Sequence, residues 1–362
     1  MLSDHIFRIP LDHSQPQGEQ IEVFAREVAS TEHAEDNLPW LVFFQGGPGF
    51  SSPRPTGNNG WLKRALEDYR VLLLDQRGTG RSTPLTQQTL ARFSNAQAMA
   101  DYLKHFRADA IVEDAEHIRR ELLGEGSPWS VLGQSFGGFC VTTYLSFHPG
   151  GLREAMFTGG LPPLERGPDE VYRATYRRVI EKNRQFYERY PEDAGRASEI
   201  VKFLLQNRIT LPTGDPFTAR RFQQLGQGFG ASDGFESLHY LLEEAFVAGS
   251  GGAEPVYGFL REVEAMQSFD TNPLYAILHE PLYCQGQASR WAAQRVLSEY
   301  PQFEISPDRP FLFLGEMIFP WMFDEYRQLQ PLKEAAMILA DTTGWSRLYK
   351  PETLRANTVP CA

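Results

Sequence analysis

The chain has 362 residues, 41% hydrophobic and 22% charged, with a formal net charge of −11. That length supports one large core, or a core with an inserted second unit. Excess acid without a Lys/Arg cluster speaks against nucleic acid as a partner, and it suits a cationic or amino-bearing substrate. Cys140, Cys284 and Cys361 lie far apart. They offer neither a disulfide framework nor metal-ligand spacing, so no metal or cofactor is expected. The amino terminus lacks a basic segment followed by an apolar run, and no stretch has membrane-spanning length. The expected place is therefore the cytoplasm, with no membrane partner.

In chain order, His5 to Pro10 and Ile21 to Val28 read as a hairpin across a polar turn, followed by a polar loop at 30–39. Trp40-Leu41-Val42-Phe43-Phe44 is a continuous apolar run, as in a central parallel strand buried on both faces. It ends at Gln45-Gly46-Gly47-Pro48-Gly49-Phe50. This is a turn whose backbone can approach a ligand closely, and an oxyanion hole can sit there because backbone N–H groups lose no rotamer entropy. Gly60 to Leu66 is a short helical turn, and Arg70 to Asp75 is a second buried strand. The following Gln76-Arg77-Gly78-Thr79-Gly80-Arg81-Ser82 has the wrong glycine spacing for a dinucleotide fingerprint. Asp75 and Arg77 read as a charge-assisted clamp on that loop. Asp109 to Leu123 is a helix, with Ile111, Ala115, Ile118 and Leu122 on one stripe.

Trp129-Ser130-Val131-Leu132-Gly133-Gln134-Ser135-Phe136-Gly137-Gly138 organises the rest. A serine hydroxyl is a poor nucleophile unless a base takes its proton and its oxygen stands clear of the chain. A sharp strand-to-helix turn meets the second need, with flanking glycines removing Cβ atoms that would clash. Ser135 is therefore the candidate nucleophile, with a helix from Phe136 to Phe147 behind it. Leu152 to Thr158 is the next strand, and the alternation of strands and helices is a doubly wound α/β pattern.

From Leu164 to about Pro310 charged, aromatic-rich helical stretches dominate, including Asp169 to Tyr190 and Ala197 to Gln206, with glycine-rich loops at 226–234 and 249–252. No new buried strand is evident there. The stretch reads as a helical insertion over the carboxyl ends of the strands, where ligands bind in such sheets. Phe311 to Leu314 is an apolar run taken as the return to the core, Pro331 to Ala340 is helical, and Thr358-Val359-Pro360 opens another strand. The expected domains are thus a core at 1–163, a helical cap at 164–310 and an incomplete return to the core at 311–362.

Three stretches together, Gly46-Gly47-Pro48-Gly49, Asp75-Gln76-Arg77-Gly78-x-Gly80-x-Ser82 and Gly133-Gln134-Ser135-Phe136-Gly137-Gly138, resemble the proline iminopeptidase (prolyl aminopeptidase) family of serine α/β-hydrolases. The resemblance implies a mostly parallel, doubly wound sheet with a helical cap inserted after the sixth strand. It implies a serine aminopeptidase that releases an N-terminal residue, possibly proline, through an acyl-enzyme on Ser135. The backbone N–H groups of Gly47 and Phe136 would form the oxyanion hole. Gln45 stands where the family usually has histidine. Glu316, beside Phe319, Trp321 and Phe323, resembles a cap carboxylate that holds the free amino terminus of a peptide substrate.

The family places the triad acid and histidine after the cap, in the order Ser, Asp, His. The eight histidines here are 5, 13, 33, 105, 117, 148, 239 and 279. None follows the cap, so the last strand–helix units are expected to be missing and the chain, taken alone, catalytically incomplete. Two other functions fit the same residues: an esterase or acyl hydrolase on this fold, and a non-catalytic hydrolase-like binding protein.

Overall fold

The computed structural model describes residues 1–33, 36–57, 59–249, 252–267, 269, 271–307 and 309–362. Positions 34 and 35 of the expected polar loop, and 250 and 251 of an expected glycine-rich loop, lie outside the described residues. The described chain forms two compact units. One comprises Met1–Glu165, Asn272–Ala288 and Ile338–Ala362, the other Arg166–Thr271 and Ser289–Met337.

The first unit is built on a sheet of strands β1 (Leu2–Pro10), β2 (Gln20–Val28), β3 (Trp40–Phe44), β4 (Arg70–Leu74), β5 (Trp129–Gln134) and β6 (Leu152–Thr158). Their spatial order is β1-β2-β4-β3-β5-β6. β1 and β2 form the antiparallel hairpin, and β2 runs antiparallel to β4. The pairs β3/β4, β3/β5 and β5/β6 are parallel. The apolar runs of β3 and β4 are buried at every position after the first, as strands covered on both faces must be. Helix Ala108–Leu123 presents the expected stripe, with Ile111, Ala115 and Ile118 buried. Helix Phe136–Phe147 is buried along most of its length. Beside β6, Ala155 donates to the carbonyl of Pro360 (2.9 Å) and Ala362 donates to that of Ala155 (3.0 Å). The segment read as the opening of another strand therefore runs parallel to β6.

The second unit is mainly helical. Helix Pro168–Arg189 starts with Pro at its first turn, has Asp169 and Glu170 in that turn and ends on Arg189. This arrangement matches the helix dipole and the N–H-poor first turn. The insertion follows the sixth strand, as expected. It also contains two short antiparallel pairs, Ile209–Thr210 with Pro216–Phe217 and Phe246–Gly249 with Gly252–Pro255. Periodicity gave no sign of these pairs because each is at most four residues long.

The partition of the chain differs from the expected domains in two places. Residues 311–337, expected in the return to the core, belong to the second unit, and 311–314 form no strand. Buried side-chain amides bind part of the 311–314 backbone, Tyr187 Oη donates to Phe311 O at 2.7 Å, and Leu314 N–H donates to the backbone carbonyl of Gln223 at 2.8 Å. Asn183 accepts from Phe313 N–H and donates to Phe313 O, both at 2.8 Å, and Gln223 donates to Leu312 O at 2.9 Å. An apolar run whose backbone partners lie outside any sheet has the same sequence signature as a buried strand. Conversely, residues 272–288, expected in the cap, belong to the first unit. The buried Arg107 guanidinium holds them by donating to the carbonyls of Pro281 (3.0 Å) and Cys284 (2.8 Å).

Because Asn183 is fully buried and also donates to Val179 O at 2.8 Å, Asn183→Ala strips partners from a buried N–H and a buried C=O. The expected loss of stability is about 2–4 kcal/mol, read as a lower urea midpoint. A change under about 0.5 kcal/mol would contradict this account of residues 311–314.

Candidate active site

β5 runs into helix Phe136–Phe147 through a single residue, Ser135, with φ 53° and ψ −119°. A positive φ is unfavourable for a residue with a Cβ, so the surroundings must hold it. They do so by close backbone approach. A Cβ at Gly133 would overlap the Gly137 carbonyl, one at Gly137 would overlap the Phe44 carbonyl, and one at Gly160 would overlap the carbonyl of Ser135 itself. Ser135 N–H reaches Thr158 O at 3.4 Å, and its carbonyl accepts from Gly138 N–H at 2.8 Å. The serine is exposed while Phe136, Gly137 and Gly138 behind it are buried. Its hydroxyl therefore stands out from the C-terminal end of a central strand.

The turn after β3 comes up against it. A Cβ at Gly46 would sit 3.0 Å from Ser135 Cβ and 3.5 Å from Ser135 Oγ. Gly47 follows at φ 122° and is joined to Pro48 by a cis peptide. The N–H of Phe136 heads a helix, where the first amides have no partner inside the helix. Ser135, Gly47 and Phe136, singled out in the sequence, thus lie on two adjacent parallel strand ends of one unit.

The stretch after β4 braces that turn. Gln76 Nε2 donates to Gln45 O at 3.0 Å, Ser52 N–H donates to Asp75 Oδ1 at 3.0 Å, and Ser52 Oγ donates to Leu74 O at 2.9 Å. Asp75 is fully buried and also receives Arg54 Nη1 (2.9 Å) and Arg81 N–H (2.9 Å). Arg77, also buried, pairs with Asp114 through Nε (2.7 Å) and donates through Nη1 to the carbonyls of Leu11 and His105, each at 2.7 Å. Both charged residues are therefore parts of a loop clamp, as read from the sequence.

Glu316 lies in the second unit, exposed between buried Gly315 and buried Met317. Of the aromatic residues that follow it, Phe319 and Phe323 are buried, while Glu316 itself is exposed. Small and apolar neighbours turn inward and leave the charged side chain at the surface.

Among the described residues, no hydrogen bond joins the Ser135 hydroxyl to a histidine. Six histidines face carboxylates: His5 Glu27, His13 Asp114, His33 Asp36, His117 Glu121, His148 Glu113 and His239 Asp193. His105 is half-buried, and burial pushes its pKa down. His279, buried in the 272–288 segment, packs its ring 5.0 Å from that of Tyr275. Cys140, one turn into the helix after Ser135, is fully buried and its thiol is pushed up by burial, so it is no competing nucleophile. Among the described residues no cluster of His, Cys, Asp and Glu could hold a metal ion, and no helix is long and apolar enough to cross a membrane.

Two features of the site were not found by sequence reasoning. One is Gly160, whose lack of a Cβ lets β6's exit pass over the Ser135 carbonyl. The other is the Gln76–Gln45 bond. The Gly159-Gly160 pair was a visible signal for the first, but nothing in the sequence gives the direction of the Gln76 side chain.

A strand ending in a positive-φ serine, with a helix behind it and a glycine turn beside it, defines a serine hydrolase of the α/β class. A family model described as the alpha/beta hydrolase fold matches residues 39–225. The chain is 52% identical to a proline iminopeptidase of Aeromonas sobria, over 99% of this chain and 83% of that protein. It is 37% identical to the proline iminopeptidase aneH of Aspergillus aculeatus, over 99% of this chain and 81% of that one. The chain belongs to the proline iminopeptidase family, serine aminopeptidases built on the α/β-hydrolase fold.

The glycine contacts predict a graded outcome. Gly137→Ala should lower stability by about 2–4 kcal/mol, because a methyl must displace the Phe44 backbone. Gly150→Ala, which meets open space, should change it by less than about 0.5 kcal/mol. Equal urea midpoints for the two variants would contradict the close packing described for the elbow.

Proposed function

We propose that the protein releases the N-terminal residue, proline by preference, from peptides with a free amino terminus, using Ser135 as nucleophile. The observation that carries this is the exposed Ser135 at φ 53°, with the Gly46–Gly47 turn against it. The serine oxygen attacks the carbonyl carbon of the N-terminal residue while its proton passes to a general base, for which no histidine among the described residues is hydrogen-bonded to Ser135. Negative charge collects on the carbonyl oxygen, and the N–H groups of Gly47 and Phe136 are proposed to receive it. Such donors are aligned before reaction and lose no orientation when the charge develops. Collapse expels the peptide's new amino terminus, which takes up a proton, and water then hydrolyses the acyl-enzyme to the free amino acid and Ser135.

The second unit is read as the cap, and Glu316 as its anchor for the substrate ammonium. An exposed carboxylate on a segment fixed by buried neighbours suits that job, and it gives an aminopeptidase a means of recognising a chain end. Cys140, Cys284 and Cys361 are all free thiols, which suits a reducing compartment such as the cytoplasm.

Ser135→Ala should lower kcat for a proline arylamide by about 10⁴-fold or more, with the thermal midpoint little changed. Retention of a tenth of the activity would remove Ser135 from the mechanism. Glu316→Gln should weaken inhibition by free-amine peptides by about tenfold or more, and inhibition by N-acetylated ones far less. Equal weakening of both would show that the carboxylate does not bind the amine.

A further inference from the structure

We infer that Gln76 is a positioning residue for the oxyanion hole, fixing the peptide that carries the Gly47 donor through its bond to the Gln45 carbonyl. The inference rests on the reading of Gly47 as a donor, and it adds a residue and a cause to it.

Gln76 is only 2% exposed. A buried primary amide needs a partner, and Gln76 Nε2 has one in Gln45 O at 3.0 Å. The bond crosses from the end of β4 to the end of β3, which pair in parallel, with Phe43 opposite Leu73. The launching point is itself fixed, since Gln76 O accepts from Thr79 N–H (3.0 Å) and from Thr79 Oγ1 (2.7 Å). On the receiving side, the Gln45 carbonyl belongs to the same peptide group as Gly46 N–H, and that N–H is held by Gln45 Oε1 at 3.0 Å. Both polar atoms of the 45–46 peptide are therefore engaged, and its plane is set. The next amide along is that of Gly47.

This fixing matters because the segment is built from glycines. Gly47 and Gly49 both take positive φ, and glycine has the most conformational freedom of any residue. Without external bonds, the Gly46–Gly47 peptide has little reason to keep one orientation. An oxyanion donor works only when it is aimed before charge develops, and a displacement of about 1 Å can lower rate by roughly a hundredfold. Asp75 and Ser52 hold the far end of the same loop through Ser52 N–H and Ser52 Oγ. Gln76 holds the end next to Ser135.

The test compares Gln76→Met, which keeps the volume and removes the donor, with Gln76→Glu, which keeps the shape. Both are assayed against wild type on a proline arylamide between pH 5 and 8. Expected for Gln76→Met is a fall in kcat of about 10–100-fold with KM within about threefold, at every pH. Gln76→Glu should be impaired at pH 8 and recover relative to wild type as pH falls. Its buried carboxyl has a raised pKa, and once protonated it can donate to the Gln45 carbonyl again. If one variant fails to fold, the other decides. A loss confined to the thermal midpoint, or a rise in KM alone, would make Gln76 a merely structural residue and overturn the inference. A crystal structure of the wild-type phosphonate adduct separates the two levels. If the phosphonyl oxygen is not on Gly47 N–H, the oxyanion reading itself fails, and this inference with it. If it is, and Gln76→Met changes neither that contact nor kcat, the inference alone fails.

Discussion

The structure around the site depends on one constraint: Ser135 must keep a backbone conformation that a side-chain-bearing residue avoids. Nothing local to the serine favours φ 53°. The conformation persists because three strand ends and one helix meet there at distances only glycine permits, with Gly133 and Gly137 against each other, Gly137 on Phe44, and Gly160 on Ser135. Relaxing the serine would push these backbones into each other. Strain of this kind, roughly 1–3 kcal/mol, survives only where the surroundings over-determine it. Its use is exposure, because the hydroxyl is lifted off the end of a strand that is buried from Trp129 to Val131 and again at Gly133.

The second organising feature is the division of labour between strand ends. β5 supplies the serine, β3 the glycine turn, and β4 neither. What β4 supplies is support. Leu74, Asp75 and Gln76, three consecutive positions, each accept from or donate to the turn after β3. Arg77 then locks the same stretch to helix Ala108–Leu123 through Asp114. A buried pair of this kind leaves an uncompensated charge when one partner is removed. This explains how an Asp-Gln-Arg-Gly run can sit beside an active site without any of its side chains carrying the chemistry.

Much of this was legible in the sequence. The apolar runs of β3 and β4, the strand–serine–helix sequence of the elbow and the stripe of helix Ala108–Leu123 were readable because each is dictated by local periodicity or by glycine spacing. The parts that were not legible share a cause, since they depend on a side chain reaching a distant backbone. Residues 311–314 carry a strand's composition, but their hydrogen bonds go to the Asn183 amide, the Tyr187 hydroxyl, and the side chain and carbonyl of Gln223. The 272–288 segment looks like part of the helical insertion, but Arg107 ties it to the first unit. Composition tells which residues are apolar; it does not tell which carbonyl an arginine or an asparagine will find.

The central claim is that the folded elbow, and not the serine's chemistry alone, makes Ser135 the reactive hydroxyl of this chain. The most direct measurement is peptide mass mapping after treatment with a fluorophosphonate, performed on the native protein and on the same protein unfolded in urea. The account predicts a single phosphonyl adduct on Ser135 in the native sample and none in the unfolded one. An adduct on a different serine, or equal labelling of Ser135 in both samples, would contradict it.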